Sequence, residues 1–442
     1  MIQPLRLPVS APSLALRRLP SAARVLSQLR PWAPALLCVA LIALGALPVA
    51  AVPALLGSGL LWLLLATFVL AAVVQGSGLA ERLALRVIAG AGSMAALCWR
   101  LTFFIAATAF VIPSTSARAA LLMPVFAALA RVLAAPGPVR ALALLFPTVI
   151  LLSAGASLTG AGAHLIAADV IVRLGGAPIG FGRWAVLSAP FALAACAVAT
   201  WLILHMFLQA HERRARPAWR APSSPPLTRA QRAVGAVTGL TVAGWLVAPA
   251  LGLPLVAVAI GGALVATRRG LTGTSLPQAL RQVDWRLLGL LAAIMLMAQA
   301  LLASGAVQAW LAGAAGALQT ADIGPRTALL IAAVVAVLSH LVIVSRTARA
   351  MVLMPAVALP LSATGADAAL LVLVCVQGSG FCQSFALSAK PVAIFARAMG
   401  PGGQGAFGSG DLLRLAVPLA LATTCLLALF AFVVWPLQGL GH

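Results

Sequence analysis

The chain has 442 residues, 63% of them hydrophobic and 8% charged, with a formal net charge of +22 and a mean hydropathy of +1.10. Soluble domains carry roughly 25% charged residues, so a soluble fold is excluded, and the lack of alternating ten-residue segments excludes a membrane barrel. Nucleic-acid binding is excluded as well, because the arginines fill short links between apolar runs, as in cytoplasmic loops, and no aromatic residues alternate with them as a stacking platform.

The composition predicts an all-α integral membrane protein. Residues 1–32 form a basic cytoplasmic segment containing Arg6, Arg17, Arg18, Arg24 and Arg30. Runs of about 18–20 apolar residues can each cross a bilayer, and they predict spans near 33–50 and 54–76. The basic lead is too long for the n-region of a cleaved signal, so 33–50 reads as a first span. Leu101 to Leu133 is too long for one comfortable span and is broken by Ser114-Thr115-Ser116. That pattern predicts a re-entrant helical hairpin near 101–133, whose irregular tip is tolerable where protein or a water-filled cavity surrounds it. Spans at 141–173 and 184–208 complete a first repeat, 33–208, and a cytoplasmic linker follows at 209–232 with Arg213, Arg214, Arg216, Arg220, Arg229 and Arg232. The second repeat, 233–436, has spans near 233–250, 251–267 and 285–305, a re-entrant hairpin near 327–361, and spans near 366–400 and 411–436. Residues 437–442 are a tail, which makes about nine spanning helices and two hairpins. The arginine-rich links place the N-terminus in the cytoplasm and the chain, multi-pass, in the cell's inner membrane; Arg173, Arg183 and Arg326 fall on the outer side of this count.

The two halves repeat one another. Ser114 to Pro124 reads S-T-S-A-R-A-A-L-L-M-P, and Ser345 to Pro355 reads S-R-T-A-R-A-M-V-L-M-P. Ser157 follows Ser114 at the same distance as Ser388 follows Ser345, Ser77-Gly78 matches Ser304-Gly305, and A-P-F-A-L-A from Ala189 matches V-P-L-A-L-A from Val417. By the side count the hairpins open in opposite directions, an inverted repeat. That is the architecture of alternating-access transporters, with the substrate at the repeat interface.

Two intramembrane arginines at matching positions, Arg118 and Arg349, point to one site, since charge at membrane depth is costly and usually functional. A long apolar segment follows each hairpin and is broken midway. The first break is S-L-T-G-A-G-A-H, Ser157 to His164, where Gly160 and Gly162 loosen the helix. The second is S-A-K-P-V, Ser388 to Val392, where Pro391 removes a donor. Broken helices expose N–H groups that attract anions and carbonyls that can hold sodium. Lys390, in the second break, is the only lysine. The acidic residues lie in loops or at span ends, Asp169 included, so the buried arginines must be satisfied by a bound anion, helix-end carbonyls or water. His164 can donate to a substrate oxygen, His340 reads as structural, and the six cysteines read as small buried hydrophobes.

The candidate substrate site therefore comprises Ser114, Thr115, Ser116, Arg118, Thr159, Gly160, His164, Ser345, Arg346, Thr347, Arg349, Lys390 and Pro391. Sodium, the candidate coupling ion, would sit near Ser114, Ser116, Gly160 and Gly162, and no other cofactor is implied. The chain carries neither H-E-x-x-H nor G-x-S-x-G, so an enzyme is not expected.

The tip motif, the broken helix after it, V-D-W-R-L-L-G-L-L from Val283 and G-D-L-L-R-L-A-V-P-L from Gly410 resemble the divalent anion:sodium symporter family of the ion transporter superfamily, which includes dicarboxylate and citrate permeases. The resemblance covers roughly residues 54–436. It implies a Ser-Asn-Thr motif at each tip that binds substrate carboxylate and sodium; Ser114-Thr115-Ser116 and Ser345-Arg346-Thr347 stand there, both without the asparagine. A Thr-Pro-Pro-Asn-like break is matched by Ala161 to His164 and Ala389 to Val392, with His164 and Val392 in place of asparagine. The function implied is secondary active transport of a small anion, a dicarboxylate or similar oxyanion, by alternating access in the lipid bilayer, as sodium symport or sodium-independent exchange. A homodimer is an assembly it admits. Arg346 and Lys390 add fixed positive charge that repels a nearby cation, so weak or absent sodium coupling is expected. A proton-linked or efflux antiporter and an anion channel are the alternatives, and His164 is the one group in the breaks able to stand in for a proton-relay carboxylate.

Overall fold

The computed structural model describes residues 53, 57, 59–133, 135–216, 226–303, 305, 313, 322–398 and 405–440. The expected N-terminal segment and first span, 1–32 and 33–50, lie outside them, as does Ser304. The chain divides into two compact units, 1–58 with 284–305, and 59–283 with 306–442. The described part of the smaller unit is a helix, Trp285–Ala303, whose first turn is capped by the Asp284 carboxylate, 3.1 Å from Leu287 N.

The larger unit begins with α1 (Gly59–Ser77) and α2 (Leu79–Ile88). Gly78 joins them at φ 65°, a left-handed conformation that glycine alone adopts without strain. Then come α3 (Met94–Ala107), α4 (Thr115–Leu133), α5 (Pro136–Ser153), α6 (Gly162–Arg173) and α7 (Phe181–Phe207). After the linker follow α8 (Arg229–Val247) and α9 (Leu255–Ala266). The second series is α10 (Pro325–Leu338), α11 (Arg346–Leu353), α12 (Ala368–Gly378), α13 (Lys390–Ala396) and α14 (Ser409–Leu429). Starts are set locally: Ser93 caps α3, accepting from Ala96 N at 3.1 Å, Asp367 caps α12, accepting from Leu370 N at 2.7 Å, and Pro136 opens α5, where its missing N–H costs nothing. Pro190 in α7 and Pro418 in α14 occupy matching positions inside helices, as tolerated where neighbours re-satisfy the freed carbonyls.

Among the described residues, α1, α4, α5, α7, α8 and α14, the last with its extension to Leu437, are long and apolar enough to cross a membrane, while α3, α9, α10 and α12 are apolar but shorter. The repeat is visible in the backbone. Helix α10 is α3 shifted by 231 residues at both ends (Met94 to Pro325, Ala107 to Leu338), and the start of α11 is that of α4 shifted equally (Thr115 to Arg346). Both expected hairpins are thus helix–break–helix units, starting earlier than expected, at Met94 and Pro325. The expected spans 141–173 and 366–400 are each two half-helices, α5–α6 and α12–α13.

The repeats interlock through these half-helices. Helix α13 of the second repeat packs on α4 and α5 of the first, and α6 of the first packs on α11 and α12 of the second. At the first junction Phe126, Phe146 and Phe395 stack with centroids 5.4–5.8 Å apart, a geometry favourable beyond the area it buries. Helix α5, almost wholly buried, is the axis on which α3, α4, α7 and α13 all lean.

Candidate functional site

Each expected tip is built by a serine. Ser114 Oγ accepts from Ala117 N at 3.3 Å, and Ser345 Oγ accepts from Ala348 N at 3.4 Å, so each caps the helix it precedes. The serine carbonyls take the next donors, Arg118 N and Arg349 N, both at 2.9 Å. The N–H groups of the first two residues in α4 and α11 then have no partner within the helix. Thr115 and Ser116 are half-buried, Ser345 is exposed and Thr347 is buried.

Arg118 is fully buried, and its guanidinium is spent. Nε donates to Thr108 Oγ1 at 2.9 Å, Nη1 to the Ile150 carbonyl at 2.9 Å, and Nη2 to the Ile105 carbonyl at 2.6 Å and Ser153 Oγ at 2.7 Å. Four of an arginine's five N–H groups are engaged. The acceptors lie near the C-terminal ends of α3 and α5, the negative poles of those helices. No carboxylate takes part; the ion pairs among the described residues are Arg140–Asp411 and Arg173–Asp169. In this conformation Arg118 ties the first tip to the end of α5 and offers a substrate almost nothing.

Arg349 is equally buried but differently served. Its Nη2 donates to the Ser379 carbonyl at 2.8 Å and to Cys382 Sγ, while Nε and Nη1 have no partner among the described residues. Arg346 crosses between repeats: Nη1 donates to the Leu151 carbonyl at 3.1 Å, and Nη2 lies 3.0 Å from His164 Nε2. Arginines of opposite repeats therefore hold consecutive carbonyls of α5, Ile150 and Leu151. Because Arg346 can only donate, His164 Nε2 accepts, and Nδ1 carries the proton given to the Ser157 carbonyl at 2.8 Å. His164 is thus neutral here, fixed at the start of α6 and stacked on Trp184 with centroids 5.3 Å apart. Its expected donation to a substrate is replaced by acceptance from Arg346.

The first break runs from Ser157 to Ala161 and is wholly buried. Thr159 Oγ1 lies 3.1 Å from Ser157 Oγ. Gly160 serves close approach: a Cβ there would collide with the Ala154 carbonyl. Gly162 opens α6. Gly160→Ala should leave the protein inserted and cut transport roughly tenfold, the factor that about 1.4 kcal/mol of misplacement supplies; uptake at the wild-type rate would show that the break tolerates the shift.

The second break lies earlier than expected, over 379–389, and α13 begins at Lys390. Pro391 does not interrupt a helix; it sits in the first turn of α13, where a missing N–H is one that has no intrahelical acceptor anyway. Lys390 is exposed. Cys382 lies in this unwound segment, so it shares no helix face with Cys375, and it receives the Arg349 donor. Residues that the sequence reading passed over complete the centre: Trp184 Nε1 at 3.1 Å and Gln377 Nε2 at 3.3 Å both donate to the Gly155 carbonyl. Two glutamines within one apolar segment, Gln377 and Gln383, were the available signal; Trp184 carried none beyond its size.

A family model described as CitMHS, citrate transporter, matches residues 22–377. Among solved structures, the chain is similar to the YdaH transporter of Alcanivorax borkumensis, described as having an unusual topology, with a TM-score of 0.59 and 18% identity over 86% of each chain. That likeness concerns the fold. The comparison with curated proteins gives no match.

Proposed function

The chain belongs to the CitMHS citrate-transporter family of the ion transporter superfamily, and we propose that it is a secondary active transporter of a small oxyanion bearing at least two acidic groups, a dicarboxylate or similar, working by alternating access. It is a multi-pass membrane protein; the arginine-rich links favour the inner membrane with the N-terminus in the cytoplasm. The observation that carries the reading is Arg346, which leaves the second tip and bonds the broken helix of the first repeat. It joins the two repeats in a cationic centre whose recorded bonds involve no carboxylate, which suits an anion bound where the repeats meet. Saturable uptake and counterflow of citrate or succinate in proteoliposomes tests it. Unsaturable flux without counterflow would make the protein a channel, and neither flux nor thermal stabilisation by citrate, succinate or sulfate would remove the reading.

Coupling to sodium fits the residues poorly. Four carbonyls at the end of α5 and in the first break already accept donors: Ile150 from Arg118, Leu151 from Arg346, Gly155 from Trp184 and Gln377, Ser157 from Gly160 N and His164. Two of those donors are cations, and a third cation a few Å away would be repelled by several kcal/mol at intermediate dielectric, on the order of 332/(εr). Uptake should therefore proceed equally with and without a sodium gradient; strong sodium stimulation would overturn this. Proton linkage is the second reading, favoured by the placement of His164 between Ser157 and Arg346, and stimulation by an imposed pH gradient would support it.

A further inference from the structure

Unspent nitrogen donors gather on one repeat. The buried nitrogens without an acceptor among the described residues are Arg346 Nε, Arg349 Nε, Arg349 Nη1 and Gln383 Nε2, all on α11 or in the unwound segment 379–389. Arg349 and Gln383 are 0% exposed. Buried donors are normally paired, and each one left unpaired costs about 1–3 kcal/mol, so four together call for a ligand rich in acceptors. In the first repeat the surplus among the described residues is one hydroxyl, Ser188 Oγ, and Arg118 finds four protein acceptors.

The asymmetry has a chemical source. Under the 231-residue shift that relates α3 to α10, Ser153 corresponds to Ser384 and Ala109 to His340. Ser153 Oγ accepts from Arg118. Ser384 Oγ instead lies 2.7 Å from His340 Nε2, while His340 Nδ1 donates to the Val337 carbonyl at 2.7 Å. Ser153 donates to the Val149 carbonyl and accepts from Arg118, whereas Ser384 is turned to His340 and takes no donor from Arg349. Ser339 Oγ, which matches Thr108, donates to the Ala336 carbonyl at 2.6 Å just as Thr108 donates to the Ile105 carbonyl, but it takes no donor from Arg349, whereas Thr108 accepts from Arg118 Nε. Exposure follows the same division. Leu341, Val342, Val344, Phe385 and Leu387, in the tip and break of the second repeat, are exposed, whereas the first break is buried throughout.

We propose that the second repeat carries the anion subsite: Arg349 Nε and Nη1, Gln383 Nε2 and Arg346 Nε receive the oxygens of a fully ionised polycarboxylate, and His340 is the positioning residue that keeps Ser384 away from Arg349. The proposal rests on the anion-transport reading above. It also names the ligand class. A single carboxylate grips an arginine through two neighbouring N–H groups, but Nη2 of Arg349 is held by the protein, and Nε and Nη1 lie on different edges of the guanidinium. Filling both takes two oxygens set apart in the ligand, as two carboxylates of one polycarboxylate provide.

The experiment measures initial rates of citrate uptake by the full chain in proteoliposomes. Gln383→Leu should raise KM roughly tenfold, equivalent to about 1.4 kcal/mol, with kcat nearly unchanged. His340→Ala should raise KM similarly, because Ser384 becomes free to occupy Arg349. Adding Ser384→Ala to it should bring KM back toward wild type, which a merely structural histidine would not allow. Ser153→Ala, in the first repeat, should leave KM within about twofold of wild type. Should Gln383→Leu not fold, Gln383→Asn carries the same expectation. Saturable wild-type uptake with KM unmoved by the Gln383 and His340 changes overturns the subsite and leaves the transport reading standing. A wild-type protein that neither takes up nor is stabilised by citrate, succinate or sulfate overturns both.

Discussion

Arg118→Ala will cost the protein its fold before it costs transport. The substitution removes four hydrogen bonds from a guanidinium with no exposed surface. Side-chain hydrogen bonds within membrane proteins are worth about 0.6 kcal/mol on average and about 1.7 at most, so the four together amount to roughly 2–7 kcal/mol. A cavity the size of the lost side chain adds to this, against a total stability of about 5–15 kcal/mol. The same bonds tie the start of α4 to the ends of α3 and α5, so their loss frees the first tip from the axis of the molecule. The measurement is the yield of monodisperse protein after detergent extraction, with its thermal midpoint. Both should fall well below wild type, and Arg118→Lys, which keeps the charge but not the planar fork, should recover only part. A normal yield and midpoint for Arg118→Ala would mean that the four bonds do not hold the tip.

Arg349→Ala should do the reverse. Only two bonds are lost, to Ser379 and Cys382, and two unpartnered donors disappear with them. Removing an unsatisfied buried group returns its desolvation penalty, about 1–3 kcal/mol each, which offsets the bonds. The protein should remain inserted, extractable and near wild type in thermal midpoint, while uptake falls at least roughly a hundredfold, the effect of about 2.8 kcal/mol of lost binding. Arg349→Lys should restore only a fraction, because an ammonium cannot place two donors on different edges at once. Uptake unchanged in Arg349→Ala would take this residue out of the site. Two arginines in one repeated motif are thus expected to fail in opposite ways.

Much of the fold was legible because it is encoded locally. Apolar run length marks helices that can cross a membrane, the serine before each A-R pair marks a capped helix start, and glycines at Gly160 and Gly162 mark the first break. The second break was misplaced because Pro391 was read as a helix breaker, when a proline in the first turn of a helix is equally at home. The bonding of the candidate site was illegible. Ser114, Ser345, Arg346, Arg349 and His164 were named from the sequence, but what Arg118 and Arg346 hold are main-chain carbonyls of Ile105, Ile150 and Leu151. Every residue has a carbonyl, so no side-chain pattern betrays such a partner. Trp184 and Gln377 went unmarked for the same reason, since both converge on the Gly155 carbonyl.

The sequence by itself determined that this is a helical membrane protein built from two related halves, each with a serine-capped tip and an arginine four residues on, because hydrophobic run length and capping act between near neighbours in the chain. Only the tertiary structure decided which of the two arginines is spent. That outcome depends on partners distant in sequence: Arg346 with His164 across the repeats, His340 with Ser384, Arg118 with Ser153. A buried guanidinium is served by whichever acceptors the packing brings to it, and no pattern between near neighbours in the chain fixes which those are.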